Sequence, residues 1–487
     1  MMEATRRNFL KRAGSVAGGI GVAELSAGVT IVSAHTKKTD VRIEEISHSF
    51  EEYLYRTPNK FAGTVVDRAT LMTVRCTVRT SAGRVAKGFG SMPLGNVWSF
   101  PSQKMPYAAT LSAMQALAEE IGKITDNYKE FDHPIDINWA LTPIYLKAAA
   151  EVSERLHLPD PIPKLCTLVT ASPFDAAVHD AFGKAHGLNC YHTYGPEFMN
   201  HDLSHYLGSE YRGEYPSRYI QLEPKDRMPL YHLVSAVDPI EESDITKRVD
   251  DGLPETLREW INYNGLTHFK IKLNGDDPKW DVQRVLHVDK ATTETQQKRG
   301  VQDWFYALDF NERCPNVDYL LQFLRQVKEK MPKGYERIQY VEQPTARDLK
   351  AHPENTMQEA ARLRPIVIDE SLTDVEALLL SRQMGYTGAS IKASKGQSQM
   401  LIVTSVAAKH KMFLCGGDMS CPGAALIQSA SLPAHVRGVR AIEANARQYM
   451  PAANKVWEPR FPGMFRITDG MIGTGELNGP GLGPSEG

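Results

Sequence analysis

Cysteine is scarce in this sequence and makes no pattern. Cys76, Cys166, Cys190, Cys314, Cys415 and Cys421 are spread over 487 positions with no Cys-x-x-Cys pair. That gives no paired-cysteine motif and leaves small buried hydrophobes as their reading. Charge of one sign is also missing. The formal net charge is −2, so no basic field argues for nucleic acid as a partner. No apolar run is long and pure enough to span a bilayer, and no stable membrane anchor is expected. Internal repeats, low-complexity tracts and free linkers are absent too. With 42% hydrophobic and 23% charged residues, the chain reads as a globular protein with a large core and more than one domain.

The start of the chain is basic. Thr5-Arg6-Arg7-Asn8-Phe9-Leu10-Lys11 precedes a weakly apolar, Gly- and Ala-rich run over 16–34 that ends in Val32-Ser33-Ala34. Residues 1–34 therefore read as a twin-arginine signal segment, with the twin-arginine export machinery as partner and a periplasmic or otherwise exported location. Glu24 inside the run blurs the cleavage site.

Residues 35–226 read as an α+β capping domain. Stretches 71–78 and 85–89 alternate like strands of a small antiparallel sheet around a turn at 81–84. Stretches 55–61 and 88–101 read as loops, and 107–124, 135–156 and 172–186 as helices. An insertion-like segment, 189–227, is rich in His and Tyr: His192, His201, His205, Tyr206, Tyr211 and Tyr215. With Asp202 its histidines offer ligands for a second metal, but their spacing fits no strong template. A packed or interfacial loop is the expectation.

The second half is regular. In 268–274, Phe269, Ile271 and Leu273 share one face of a strand and Lys270 and Lys272 the other. Two ammonium groups on one face of a buried strand repel and are costly to desolvate, so a solvated edge is the ordinary explanation. The sequence downstream argues otherwise. Apolar runs end in turn at Asp309, Glu342, Asp369 and Lys392, each separated by enough chain for a helix. This is the pattern of a (β/α) barrel that collects its functional groups at the C-terminal rim. The barrel is expected over 227–446, with strands near 229–236 and 439–443 at its two ends. Helices are expected at 279–298, 317–330, 374–384, 398–409 and 423–434, and a Gly- and Pro-rich tail, 447–487, returns to the cap. Three carboxylates facing one point need a cation between them. A hard divalent ion suits oxygen ligands, Mg²⁺ first and Mn²⁺ as an alternative.

Phe269-Lys270-Ile271-Lys272, Asp309-Phe310-Asn311, Val341-Glu342-Gln343-Pro344, Asp369-Glu370-Ser371 and Ile391-Lys392-Ala393-Ser394-Lys395-Gly396 together resemble the enolase superfamily. Within it they resemble the mandelate racemase/muconate lactonizing enzyme family, in its muconate lactonizing enzyme-like subgroup, over about 41–449. The resemblance implies an α/β fold: a modified (β/α)8 TIM barrel of (β/α)7β type with an N-terminal α+β capping domain. It implies Asp309, Glu342 and Asp369 as Mg²⁺ ligands, supported by Asn311 and Glu370. It also implies a small carboxylate substrate that loses its α-proton to a lysine and forms an enediolate. Lys272 and Lys392 would face opposite sides of the α-carbon, and Lys270 would contact the carboxylate. Racemisation, epimerisation or cycloisomerisation follows from two lysines. Dehydration of a hydroxy acid or acid sugar is the alternative, with Asp418 as its acid, and a non-catalytic carboxylate-binding descendant is the rival. In relatives, two N-terminal loops close over the barrel. By analogy 55–61 and 90–100 take that role, with Arg56, Lys60 and Trp98 as substrate contacts. Lys395, in a Lys-Gly-Gln run where many relatives carry Lys-x-Gly-Gly, is a further candidate contact. Relatives are commonly homo-oligomers.

Overall fold

The computed structural model describes residues 36–483, Ala62 excepted. The segment assigned to export, 1–34, lies outside the described residues. From Lys37 onward the chain forms one compact unit. Among the described residues no helix is long and apolar enough to cross a membrane.

The N-terminal part is an antiparallel sheet, β1 (Val41–Phe61), β2 (Thr64–Thr80) and β3 (Val85–Pro93). Three helices cover it: α1 (Tyr107–Asp126), α2 (Pro134–Arg155) and α3 (Lys164–His186). Alternation drives the packing. Met72, Val74, Cys76 and Val78 of β2 are buried against the helices, while Arg75 between them is exposed, as a period of two requires. β3 lies directly on α3. A Cβ at Gly90 would sit 1.9 Å from the Pro173 carbonyl oxygen, and one at Gly88 would sit 2.2 Å from the Ala181 nitrogen, so only glycine permits this approach.

Two sequence expectations are corrected here. Residues 55–61 are not a free loop but the end of β1. The register slips between Leu54–Arg68 and Asn59–Val66, so 55–58 form a bulge and pairing then resumes. The Lys60 N–H donates to Ser235 Oγ at 2.9 Å, which pins this strand end to the barrel. The third helix begins at Lys164, not at Ser172. Pro173 lies inside it and cannot donate to the Val169 carbonyl, so the Ser172 hydroxyl donates there instead, at 2.9 Å.

Eight parallel strands follow: β4 (Arg227–Val234), β5 (His268–Lys272), β6 (Phe305–Asp309), β7 (Ile338–Glu342), β8 (Ile366–Ile368), β9 (Gly388–Ile391), β10 (Phe413–Gly416) and β11 (Ile442–Glu443). β11 pairs with both β10 and β4 and closes the ring. The connecting helices are α4 (Leu257–Asn264), α5 (Pro278–Arg299), α6 (Val317–Lys330), α7 (Gln358–Leu363), α8 (Val375–Gln383), α9 (Gln397–Lys409) and α10 (Ala424–His435). Between β11 and Met471 the only helices among the described residues are the four-residue turns Ala446–Tyr449, Pro451–Asn454 and Pro462–Phe465, so the barrel is of (β/α)7β type, a TIM barrel with an N-terminal cap. Helices α4 and α7 were not anticipated. Thr256 and Glu259 form a capping box at the start of α4, a signal readable as Thr-x-x-Glu. The tail adds β12 (Met471–Gly473), antiparallel to β4, and reaches α3, where the Leu482 N–H donates to Asp180 Oδ1. All six cysteines are buried and free.

Candidate active site

Each barrel strand points alternate residues into the lumen, and the register brings the charged strand ends level. Lys272 pairs with Asp309 across β5–β6, and Asp309 with Glu342 across β6–β7. The result is a layer of ammonium and carboxylate groups, nearly all shut away from water. Lys270 Nζ lies 2.9 Å from Glu342 Oε1, 2.7 Å from Glu443 Oε1 and 3.1 Å from Asp309 Oδ2. Lys272 Nζ lies 2.5 Å from Asp309 Oδ2 and 2.9 Å from Asn311 Oδ1. Across the barrel, Lys392 Nζ is 2.5 Å from Asp369 Oδ2. Lys395 Nζ is 3.0 Å from Asp369 Oδ1 and 2.6 Å from the Asp369 carbonyl oxygen.

Burial and neighbouring charge pull these groups in opposite directions. Burial works against an ammonium at Lys270, but Glu342, Glu443 and Asp309 outweigh it and hold Lys270 well above the usual lysine value. Lys392 is likewise raised, because Asp369 and Glu342 overcome its burial. Lys395 goes the other way: its burial dominates and lowers it despite Asp369. Asp309, although buried, is lowered to about 2 by Lys272 and Lys270. Glu370 is raised to about 7 by burial and by the charges of Asp369 and Asp309.

Local backbone strain shapes the rim. Asn311, Glu312 and Gln343 adopt φ of +43°, +63° and +31°, a region that side chains rarely occupy. At Asn311 the turn lets the backbone N–H donate to Asp309 Oδ1 at 2.8 Å, the side-chain oxygen accept from Lys272, and Nδ2 donate to Glu370 Oε1 at 2.9 Å. Trp98 Nε1 donates to the same Glu370 oxygen at 3.1 Å, and Lys392 Nζ lies 4.4 Å from the centre of the Trp98 ring, a cation–π arrangement.

Above this layer is a cleft of about 750 Å³. Its floor holds Lys270, Lys272, Lys392, Asn311 and Glu443, and its walls are largely apolar: Val66, Leu94, Val97, Leu111, Leu233 and Met419. The two N-terminal segments singled out from sequence both reach it, through Tyr55 in the bulge and Asn59 just after it, and through Leu94 to Trp98 after β3. Arg56 does not. Its guanidinium is paired with Asp251 at 2.5 Å and 2.6 Å and donates to the Pro254 carbonyl oxygen, so the expected contact with an anionic substrate group is corrected to a half-buried ion pair away from the cleft. Lys60 is also not among the lining residues. Asp418 borders the cleft, but its two oxygens accept the backbone N–H groups of Cys421 and Asn445 at 3.1 and 2.7 Å. Asp309, Glu342, Asp369, Glu370 and Lys395 lie buried beneath the floor. Glu443 and Asn445 were not singled out from the sequence. Glu443 ends an apolar run as Asp309 and Glu342 do, but its strand is only two residues long.

The carboxylates fit the implied divalent ion by chemistry. The donors are all oxygen, and Glu342 Oε2 is buried with no hydrogen-bond partner; burial and the nearby acids Asp309 and Asp369 raise this group well above the carboxylate range despite Lys270. A hard cation relieves both conditions. The three acids each also hold a lysine, as described above.

The sequence over 252–485 matches the family described as Enolase C-terminal domain-like. No curated protein matches the chain. Among solved structures, it is similar to the muconate lactonizing enzyme from Pseudomonas fluorescens complexed with muconolactone, at TM-score 0.59 and 17% identity, covering 92% of this chain and 97% of that one. It is similar to the L-Ala-D/L-Glu epimerase from Bacillus subtilis, at TM-score 0.59 and 19% identity over 91% and 98%. It is also similar to the dipeptide epimerase from Enterococcus faecalis V583 complexed with Mg and L-Leu-L-Tyr, at TM-score 0.57 and 16% identity over 91% and 100%.

Proposed function

We propose that this protein is a magnesium-dependent enzyme that removes the proton α to a substrate carboxylate and completes a racemisation, epimerisation or cycloisomerisation. The observation that carries the reading is the placement of two lysines. Lys272 ends β5 and Lys392 follows β9, four strands apart in an eight-stranded ring, so they meet the cleft from opposite sides. A carbon held between them can lose a proton to one and regain it from the other. The cycloisomerases and epimerases among the similar folds support this class.

Each residue has a definable task. Lys272 is placed to act as the base, and Asp309 and Asn311 hold its nitrogen at the cleft floor. Lys392 is fixed between Asp369 and the Trp98 face and is charged, which suits it to deliver a proton. Lys270 stays charged under three acids and offers a fixed positive field where the substrate carboxylate gains negative charge. Asp309, Glu342 and Asp369 would hold the Mg²⁺, which when bound supplies a hard cation that stabilises that charge. The apolar walls favour a substrate whose body is apolar rather than an acid sugar. Dehydration is the weaker reading, because both Asp418 oxygens already hold backbone N–H groups. We also propose export by the twin-arginine route, from the sequence of 1–34.

The test is α-proton exchange in D₂O, read by NMR with Mg²⁺-loaded protein and a panel of amino acids, dipeptides and hydroxy acids. Exchange should vanish in Lys272→Ala while Mg²⁺-dependent thermal stabilisation persists. Full exchange in Lys272→Ala would overturn the mechanism. Silence across the panel with Mg²⁺ binding intact would favour a carboxylate-binding protein.

A further inference from the structure

Away from the cleft, three side chains of metal-binding type converge where the insertion meets the cap. Asp136 stands in the first turn of α2. His201 and His205 are four residues apart on the insertion, His205 within the turn Leu203–Leu207. One ligating atom from each lies within 4.8 Å of the other two. His201 Nδ1 is 3.1 Å from Asp136 Oδ1, and the two imidazoles are stacked, with centroids 4.0 Å apart and planes 19° apart.

A second observation points to a ligand. Asp136 is only 8% exposed, yet its Oδ2 has no hydrogen-bond partner, while Oδ1 takes both His201 and the Tyr206 hydroxyl. A buried carboxylate oxygen left without a donor is costly. The surroundings are acidic as well: Asp132 and Asp202 both act electrostatically on this group. His205 is exposed and His201 partly so, which gives an ion a path from solvent.

We propose that Asp136, His201 and His205 form a site for a borderline divalent cation such as Zn²⁺. Two imidazole nitrogens and one carboxylate oxygen suit Zn²⁺ and disfavour Mg²⁺, and three protein ligands leave a fourth position open. The Tyr206 hydroxyl on Oδ1 orients the carboxylate from outside the ligand set. The ion ties the insertion to α2. None of the three residues lines the cleft, so the site stands independently of the reading of the barrel.

The test uses the full chain, stripped by chelator and kept in excess Mg²⁺ so that all-oxygen sites are taken. Zn²⁺ is titrated by calorimetry, and Co²⁺ is titrated as a spectroscopic probe. One saturable Zn²⁺ site is expected, with Co²⁺ giving the visible bands of a nitrogen-ligated ion. His205→Ala removes an exposed side chain and should weaken binding more than ~100-fold, beyond the ~10–100-fold that loss of a supporting group alone produces. Asp136→Asn should do the same with unchanged circular dichroism. Absence of a saturable site, or wild-type affinity in both variants, would overturn the proposal.

Discussion

At the barrel mouth, Lys270, Lys272, Lys392 and Lys395 are buried against carboxylates, with Asp309 shared by the first two and Asp369 by the last two. At the seam between α3, the insertion and α10, two buried histidines, His133 and His435, are set among rings and backbone oxygens. His133 accepts the Ile135 N–H and reaches the Thr193 carbonyl oxygen; His435 stacks on Tyr191 with centroids 3.6 Å apart and donates to the Ser431 carbonyl oxygen. Burial dominates at the seam: it holds His133 well below the usual imidazole value and pushes His435 down to about 4. Both regions exclude water, yet the lysines of the barrel mouth are held against opposed charges while these two histidines are not. Buried ion pairs are poor devices for stability alone, so the contrast locates the region whose charges serve chemistry.

The sharpest way to break the contrast is to remove a lysine that faces the cleft. Lys272→Ala and Lys392→Ala should each lower turnover about 10²–10⁴-fold, the usual worth of a positioned acid or base. If one variant retains exchange of the α-proton and the other does not, a single base is at work, as cycloisomerisation requires. Next comes Lys395→Met, which leaves Asp369 with one fewer partner in a dry site. It should lower unfolding stability by roughly 3–5 kcal/mol, measured by urea denaturation. A variant as stable as the wild type would mean that Lys392 alone neutralises Asp369.

The seam predicts the opposite dependence, on pH. A histidine whose folded pKa lies at about 4 against an ordinary 6.5 contributes fully above pH 6.5, and its contribution is lost as pH falls toward 4. Moving from pH 7 to pH 5 should remove roughly 2 kcal/mol through His435. His435→Phe keeps the stack on Tyr191 and should show a smaller fall in Tm over that interval; an identical fall would acquit His435. The smallest effect is expected for Trp98→Phe. It deletes one donor to Glu370 but leaves Asn311 in place, a loss of about 1 kcal/mol, visible as a modest rise in KM with proton exchange retained.

The barrel was legible because two independent signals coincide in the sequence: apolar runs of strand length, and a charged residue at the end of each. Asp309, Glu342 and Lys392 stand out by this rule, and the structure brings them to one layer. Glu443 obeys the same rule, but on a strand of two residues the run is too short to register. Helices α4 and α7, at eight and six residues, fall below the length at which a helical period is clear. Arg56 misled for a different reason. Its partner Asp251 lies 195 positions away, and no local pattern announces an ion pair of that span. The bulge at 55–58 resembled a loop because Pro58 and its polar neighbours interrupt alternation while the strand continues beyond them.

The close contact of β3 with α3 at Gly88 and Gly90 has a bearing on how such a protein can change. α3 is fastened to the barrel by Asp175, which accepts from the Ser398 backbone and hydroxyl at 2.8 and 2.7 Å. β3 is fastened to α10 by Gln428, through the Ser91 N–H and the Phe89 carbonyl oxygen. The segments that wall the cleft, Tyr55 to Asn59 and Leu94 to Trp98, are thus suspended from a frame already locked to the lysine-bearing ring. Apart from Trp98, which touches Lys392, side chains on those walls can be exchanged without transmitting movement to Lys272 or Lys392. The arrangement separates what is recognised from what is done to it, so new substrates can be acquired by drift in the walls while the reacting groups stay in place.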